Sequence, residues 1–164
     1  MSTSQKSSTY TAEVKWDRAG SVFTDNRYSR AHEWKFDGGA VVAASSSPHV
    51  VRVPLSDPAN VDPEEALVAS LSSCHMLFFL GYAAREKFTV DSYTDLAEGV
   101  MGTTENDRVA MTLVTLKPMV IFSGSKIPEN TEIEALHHEA HKNCYIANSV
   151  RTEVRIQHVW QMRV

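Results

Sequence analysis

The stretch that most constrains the fold is residues 62–88, DPEEALVASLSSCHMLFFLGYAAREKF. Asp62 can accept hydrogen bonds as an N-cap, Pro63 suits the first helical position, and Glu64 and Glu65 complement the positive end of a helix. Mostly apolar residues follow, until Arg85 and Lys87 mark the far end. Leu67, Leu71, Cys74, Phe78 and Gly81 fall on one face at helical spacing. A helix apolar around most of its circumference needs cover on several sides, so the Cys74 thiol is expected in a pocket rather than on open surface. The length nearly serves for a membrane span. However, Ser70, Ser72, Ser73 and His75 interrupt its centre and no second such stretch occurs. A central core helix is the expectation.

The chain has 164 residues, enough for one domain over 1–164 with a substantial core, and residues 1–8 are expected to be a disordered lead-in. Apolar residues make up 43% and charged residues 22%, ordinary values for a soluble globular protein. A formal net charge of −4 without a basic cluster argues against nucleic-acid binding. The polar opening MSTSQKSSTY has no apolar h-region, so the expected location is the cytoplasm, where thiols are normally reduced. Two cysteines there point to inert or redox-active thiols rather than a permanent bridge.

Tyr10, Ala12, Val14 and Trp16 alternate with polar residues, which predicts a strand with one buried face. Residues 25–30 read as a loop. Residues 33–36 and 40–44 flank Asp37-Gly38-Gly39, a hairpin signal, and residues 45–57 lead irregularly to the central helix. Beyond it, residues 91–100 and 108–122 read as two long strands joined by a turn at 102–107. A second helix is expected over 131–143, with Ile133, Leu136, Ala140 and then Cys144 on one face. Residues 150–162 close the chain as a strand in which Val154, Ile156, His158 and Trp160 alternate with polar neighbours. This order predicts an α+β fold dominated by antiparallel sheet. The long helix outruns the cover one chain can offer, and a homodimer burying it is expected.

Cys74 and Cys144 carry the chemistry to weigh first. Each alone is most simply a small buried apolar residue, but as a pair they allow an attacking and a resolving thiol. Ser72, Ser73 and His75 are polar groups in an apolar helix and need partners or a pocket. Glu64 lies ten residues before Cys74, about 15 Å along a straight helix, too far for direct bonding within one chain; it is otherwise a plain first-turn charge. Arg27 and Arg30 sit in the loop NRYSRAHEW, where a guanidinium beside a thiol would favour the thiolate; solvated loop arginines are the simpler reading. His137, His138 and His141 form a cluster, but HHEAH is not the H-E-x-x-H zinc motif, and a polar helix face is expected without metal.

The segments VDPEEALVASLSSCHMLFFLGYAA and HHEAHKNCYIANSVRTEVRI resemble the OsmC/Ohr family of thiol peroxidases, in which N-P-E-x-L-x-A-A-x-x-x-C is followed about seventy residues on by A-x-x-x-C-P-x-S-x-x-x-[RK]. Here Cys74 and Cys144 are seventy residues apart. YSRAHEWKFDGG looks most like the OsmC-like branch. The resemblance implies an intertwined α+β homodimer with antiparallel sheets around long central helices and two sites at the interface. It implies that Cys74 is the peroxidatic and Cys144 the resolving cysteine, and that Glu64 holds a loop arginine, Arg30 or alternatively Arg27. It further implies reduction of organic hydroperoxides to alcohols, recycling by a dithiol (a lipoylated protein, a thioredoxin-like protein or a small thiol), and no cofactor. Met76, Phe78 and Phe79 are candidate walls of an apolar pocket that would prefer alkyl peroxides, with core packing the simpler role for at least some of them. Tyr145 and Ala147 stand where the family usually has Pro and Ser, and His75 is a variable neighbour that could tune the thiol. The other readings on this fold are a non-catalytic dimer binding a lipid-like ligand in an apolar pocket, and a thiol redox sensor.

Overall fold

The computed structural model describes residues 7–157 and the backbone of 159–162. The expected lead-in falls largely outside these residues, as does the expected strand position of His158. The chain divides into two compact units, Met1–Pro63 and Glu64–Val164.

The first unit is built on a three-stranded antiparallel sheet of β1 (Ala12–Lys15), β2 (His32–Phe36) and β3 (Val41–Ala44), in that order. The β2–β3 hairpin turns where expected. Gly39 takes φ +87°, a left-handed conformation that suits glycine, and its N–H donates to the Phe36 carbonyl at 2.9 Å. β1 forms as expected, but its buried face does not: all four residues are exposed, and Val14 is 66% exposed. Alternation reports that two faces differ; burial needs a second layer, and the first unit by itself supplies none to this face. After β3, the Ser45 N–H reaches Val61 O and the Val61 N–H reaches Ala43 O, both at 3.0 Å, which returns the chain alongside β3 just before the long helix.

The second unit opens with α1 (Pro63–Arg85), bounded as Asp62-Pro63 and Arg85 predicted. The three long apolar segments each form two strands rather than one. They give β4 (Thr89–Asp95) and β5 (Glu98–Thr103), β6 (Val109–Leu116) and β7 (Pro118–Ser123), and β8 (Glu153–Ile156) and β9 (Val159–Met162). The halves belong to different sheets, β4-β7-β9 and β5-β6-β8, yet the order of segments is the same in both. The break is therefore one bend across three adjacent segments. At its centre the Lys117 N–H donates to Asp95 Oδ1 at 2.6 Å, and Pro118 has no N–H to give. Pairing is antiparallel for β4–β7 and β5–β6 and parallel for β6–β8 and β7–β9.

Two apolar clusters hold this unit. Phe79, Ala83 and Phe88 pack with Val120, Phe122, Ile133, Leu136 and Ala140, while Leu71 packs with Val114 and Leu116. The buried residues of α1 are thus Leu71, His75, Phe79 and Ala83, one stripe at i, i+4 spacing. Of the expected face through Leu67, Leu71, Cys74, Phe78 and Gly81, only Leu71 lies on this stripe, and Leu77 is 66% exposed within the single chain. An apolar pattern wrapping most of a helix does not say which face wins; the sheets and α2 choose it. α2 (Asn130–Asn143) follows the expected second helix within one residue, with Ile133, Leu136 and Ala140 buried. In its first turn the Glu129 N–H donates to Glu132 Oε2 at 2.9 Å.

Candidate active site

Cys74 lies midway along α1 and is half-buried; Cys144 is the C-cap of α2 and is 1% exposed. The chain leaves α2 there because Cys144 takes extended backbone angles, with its N–H on the His141 carbonyl at 3.3 Å. The two thiols meet. The Cys144 pKa is pushed up to about 11, first by burial and then by a hydrogen bond with the Cys74 thiol beside it. The Ala147 and Ile146 amides pull the other way, the Ala147 N–H at 3.4 Å from Sγ. Both sulfurs are free thiols.

Cys74 opens on a shallow groove of about 480 Å³, walled by Ser70, Leu77, Phe78, Tyr145 and Ile146. Phe78 and Tyr145 meet edge to face, centroids 5.1 Å apart. Of the three candidates, Phe78 lines the groove, Phe79 takes the core-packing role, and Met76 is half-buried. Leu77, Tyr145 and Ile146 were not expected as walls. Tyr145 carried a signal all the same, since a bulky aromatic stood where the resembled motif has proline.

The polar residues at the centre of α1 are accounted for one by one. Ser70 Oγ donates to Leu67 O at 2.8 Å and Ser73 Oγ to Ser70 O at 3.3 Å, back-bonds within the helix. Ser72 Oγ donates to Asp95 Oδ2 at 2.5 Å, tying α1 to the bend in the sheets. His75 turns into the core, where its Nε2 lies 3.0 Å from His137 Nδ1. The expected polar face at HHEAH is corrected in part. His138 is exposed, but His137 is 2% exposed and packs on Phe79, centroids 4.4 Å apart. Among the described residues no group of three metal-ligating side chains comes together.

Arg30 belongs to the first unit. Its guanidinium donates to the Asn26 side chain at 2.6 Å and to the Asn26 and Tyr28 carbonyls, and it lies over the Tyr28 ring, 3.8 Å from the centroid. The loop is braced by Tyr28 stacking on Phe23 and by the Trp16 Nε1–H on Ser29 O at 2.8 Å. Arg27 is exposed; its backbone N–H donates to Asp25 Oδ1. Glu64 is half-buried in the first turn of α1, ten residues from Cys74.

The family model described as OsmC-like protein matches residues 56–159, a span that holds α1, both cysteines and α2. The chain belongs to the OsmC-like protein family. An OsmC-like protein of unknown function from Vibrio cholerae is 54% identical, with a TM-score of 0.92 over 93% of this chain and 100% of that one. An OsmC-like protein from Mycoplasma pneumoniae is 12% identical with a TM-score of 0.71, covering 94% and 99%. An organic hydroperoxide resistance protein from Elizabethkingia anophelis is 17% identical with a TM-score of 0.65, covering 97% and 99%. The last two show a shared OsmC fold. No curated protein matches the chain in sequence.

Proposed function

We propose that this OsmC-like protein is a thiol-dependent peroxidase that reduces organic hydroperoxides to alcohols. The observation that carries the reading is a half-exposed Cys74 on an apolar groove with the buried, high-pKa thiol of Cys144 beside it. The Cys74 thiolate attacks the distal peroxide oxygen and the O–O bond breaks. The alkoxide takes a proton and leaves as the alcohol, with Cys74 left as sulfenic acid. Cys144 Sγ then attacks Cys74 Sγ; the hydroxyl leaves with the Cys144 proton as water, and a disulfide remains. An external dithiol reopens it by exchange. With its pKa near 11, Cys144 is a protonated thiol at neutral pH, which leaves the first encounter with peroxide to Cys74.

In this reading Arg30, with Arg27 as the alternative, favours the Cys74 thiolate, and Glu64 holds the arginine by a charge-assisted pair. Because Glu64 stands about 15 Å from Cys74 along its own helix, the carboxylate serving each thiol comes from a second copy in a homodimer. The two units act as one OsmC-like domain, in the cytoplasm, recycled by a lipoylated or thioredoxin-like protein or a small dithiol. The match to a protein named for organic hydroperoxide resistance supports the substrate class.

The test is peroxide loss by purified protein with a dithiol, cumene hydroperoxide beside hydrogen peroxide, and Cys74→Ser as control. Faster loss of cumene hydroperoxide, absent in the variant, is the expected result. The apolar walls of the groove also favour a second reading, a non-catalytic carrier of a lipid-like ligand. Loss no greater than in the control would favour the carrier, and mass spectrometry of the purified protein would then seek the ligand.

A further inference from the structure

Next to the cysteines lies a buried imidazole pair that the proposed chemistry does not use. His75 follows Cys74 on α1 and is 1% exposed; His137 is on α2, seven residues before Cys144, and is 2% exposed. His75 Nε2 and His137 Nδ1 are 3.0 Å apart. The ring planes differ by only 8° while the centroids stand 5.3 Å apart. Near-parallel rings that far apart, with a short N···N contact, meet edge to edge, so the lone pair of one nitrogen points along the N–H of the other. Burial, then the charge of His141, holds the His75 pKa down to about 4, so the ring is neutral and can share one proton with its partner. His75 Nδ1 has no hydrogen-bond partner among the described residues. The contact with His137 is therefore the hydrogen bond that the described residues give this ring.

Beside it the α1–α2 contact is made by apolar side chains, Phe79 and Ala83 with Leu136 and Ala140. Such packing is non-directional and tolerates a slide or a rotation; a linear hydrogen bond tolerates neither. Its ends are tied to the reacting sulfurs, one peptide from Cys74 and two turns, about 10 Å, along one face of α2 from Cys144. A shift of α2 that parted the sulfurs would also break this bond. Disulfide closure is sensitive to such shifts, since it needs a Cα separation of about 4.4–6.8 Å.

We propose that the His75–His137 hydrogen bond is a positioning element that sets the register of α2 on α1 and so keeps Cys144 within bonding reach of Cys74. The inference rests on reading the two thiols as one redox pair, and it is independent of which oxidant they meet.

The experiment is the equilibrium of the Cys74–Cys144 disulfide in a glutathione buffer at pH 7. The two thiols give two electrons and two protons to oxidised glutathione, which becomes two reduced molecules. The equilibrium constant is the effective concentration of one thiol at the other, which falls when alignment is lost. His75→Leu and His137→Leu are expected to lower it by about tenfold, and His75→Gln, which keeps an amide nitrogen near the Nε2 position, to restore it. General loosening of the fold would not discriminate glutamine from leucine in this way. Should the leucine variants not fold, His75→Gln against the shorter His75→Asn carries the comparison. Equal constants in all variants, or a wild-type protein that forms no such disulfide, would overturn the inference. Sulfenic acid on Cys74 is measured separately with cumene hydroperoxide in Cys144→Ser. Its absence would sink the peroxidase reading and leave the positioning result standing.

Discussion

At the scale of single residues, the two cysteines differ in the properties that decide which reacts. Cys74 is half-buried on the groove, whereas Cys144 is 1% exposed with its pKa held near 11 by burial and by its neighbour's thiol. Alkylation follows thiolate fraction and access. Iodoacetamide at pH 8 is therefore expected to label Cys74 at least about tenfold faster than Cys144, read by peptide mass spectrometry. Under the proposed function, Cys74→Ser loses turnover altogether. Cys144→Ser consumes about one peroxide per chain and then stalls until the reductant attacks Cys74 directly; a burst assay with cumene hydroperoxide separates the two. Equal and full turnover in both variants would rule out the two-thiol cycle. Cys74 itself was legible from the local pattern, because a thiol amid serines in an apolar helix is conspicuous. Its partner was legible only through a resemblance, since seventy residues of separation carry no distance.

At the scale of elements, polar contacts flank Cys74 on α1, through Ser72 and through His75. The Asp95 carboxylate accepts from Ser72 Oγ at 2.5 Å and from the Lys117 N–H at 2.6 Å, where the sheets bend. Asp95→Ala strands both donors and is expected to lower stability by about 2–4 kcal/mol, measured by urea unfolding. The second contact is His75 on His137. The His75 pKa falls from 6.5 in the ordinary state to about 4 in the fold. Its neutral form therefore supports the fold fully above pH 6.5, and that support is lost as pH falls toward 4. The slope corresponds to about 3 kcal/mol in all. Urea midpoints at pH 7.5 and 4.5 are expected to differ for the wild type and to differ less for His75→Gln. Gly99 marks a close approach of β5 to α1: an added Cβ would stand 2.5 Å from Met111 Sδ and 2.6 Å from Val68 Cγ2. Gly99→Ala is expected to cost about 1–3 kcal/mol by overpacking, checked in the same assay.

At the scale of the whole molecule, apolar side chains remain in solvent on both units: Val14 at 66%, Val41 at 56%, Leu77 at 66% and Tyr145 at 73%. Apolar side chains left in solvent on a unit suit cover by a partner. The homodimer proposed above would supply that cover with a second copy, and sedimentation equilibrium is expected to give twice the chain mass, shifting toward the monomer in Leu77→Glu. A wild-type protein that stays monomeric at all concentrations would remove the second copy from the proposed site. The sequence by itself determined the events that are decided within a turn or two of chain. Asp62-Pro63 and Arg85 bound α1, Gly39 makes the β2–β3 turn, and α2 ends at Cys144. Only the tertiary structure decided which face of α1 is buried, because a helix apolar nearly all round prefers no side until its partners arrive. The bend at Asp95 and Lys117, the meeting of Cys74 with Cys144, and the pairing of His75 with His137 were decided there too. Each depends on groups brought together across 22, 70 and 62 residues, where chain closure, not local preference, sets the distance.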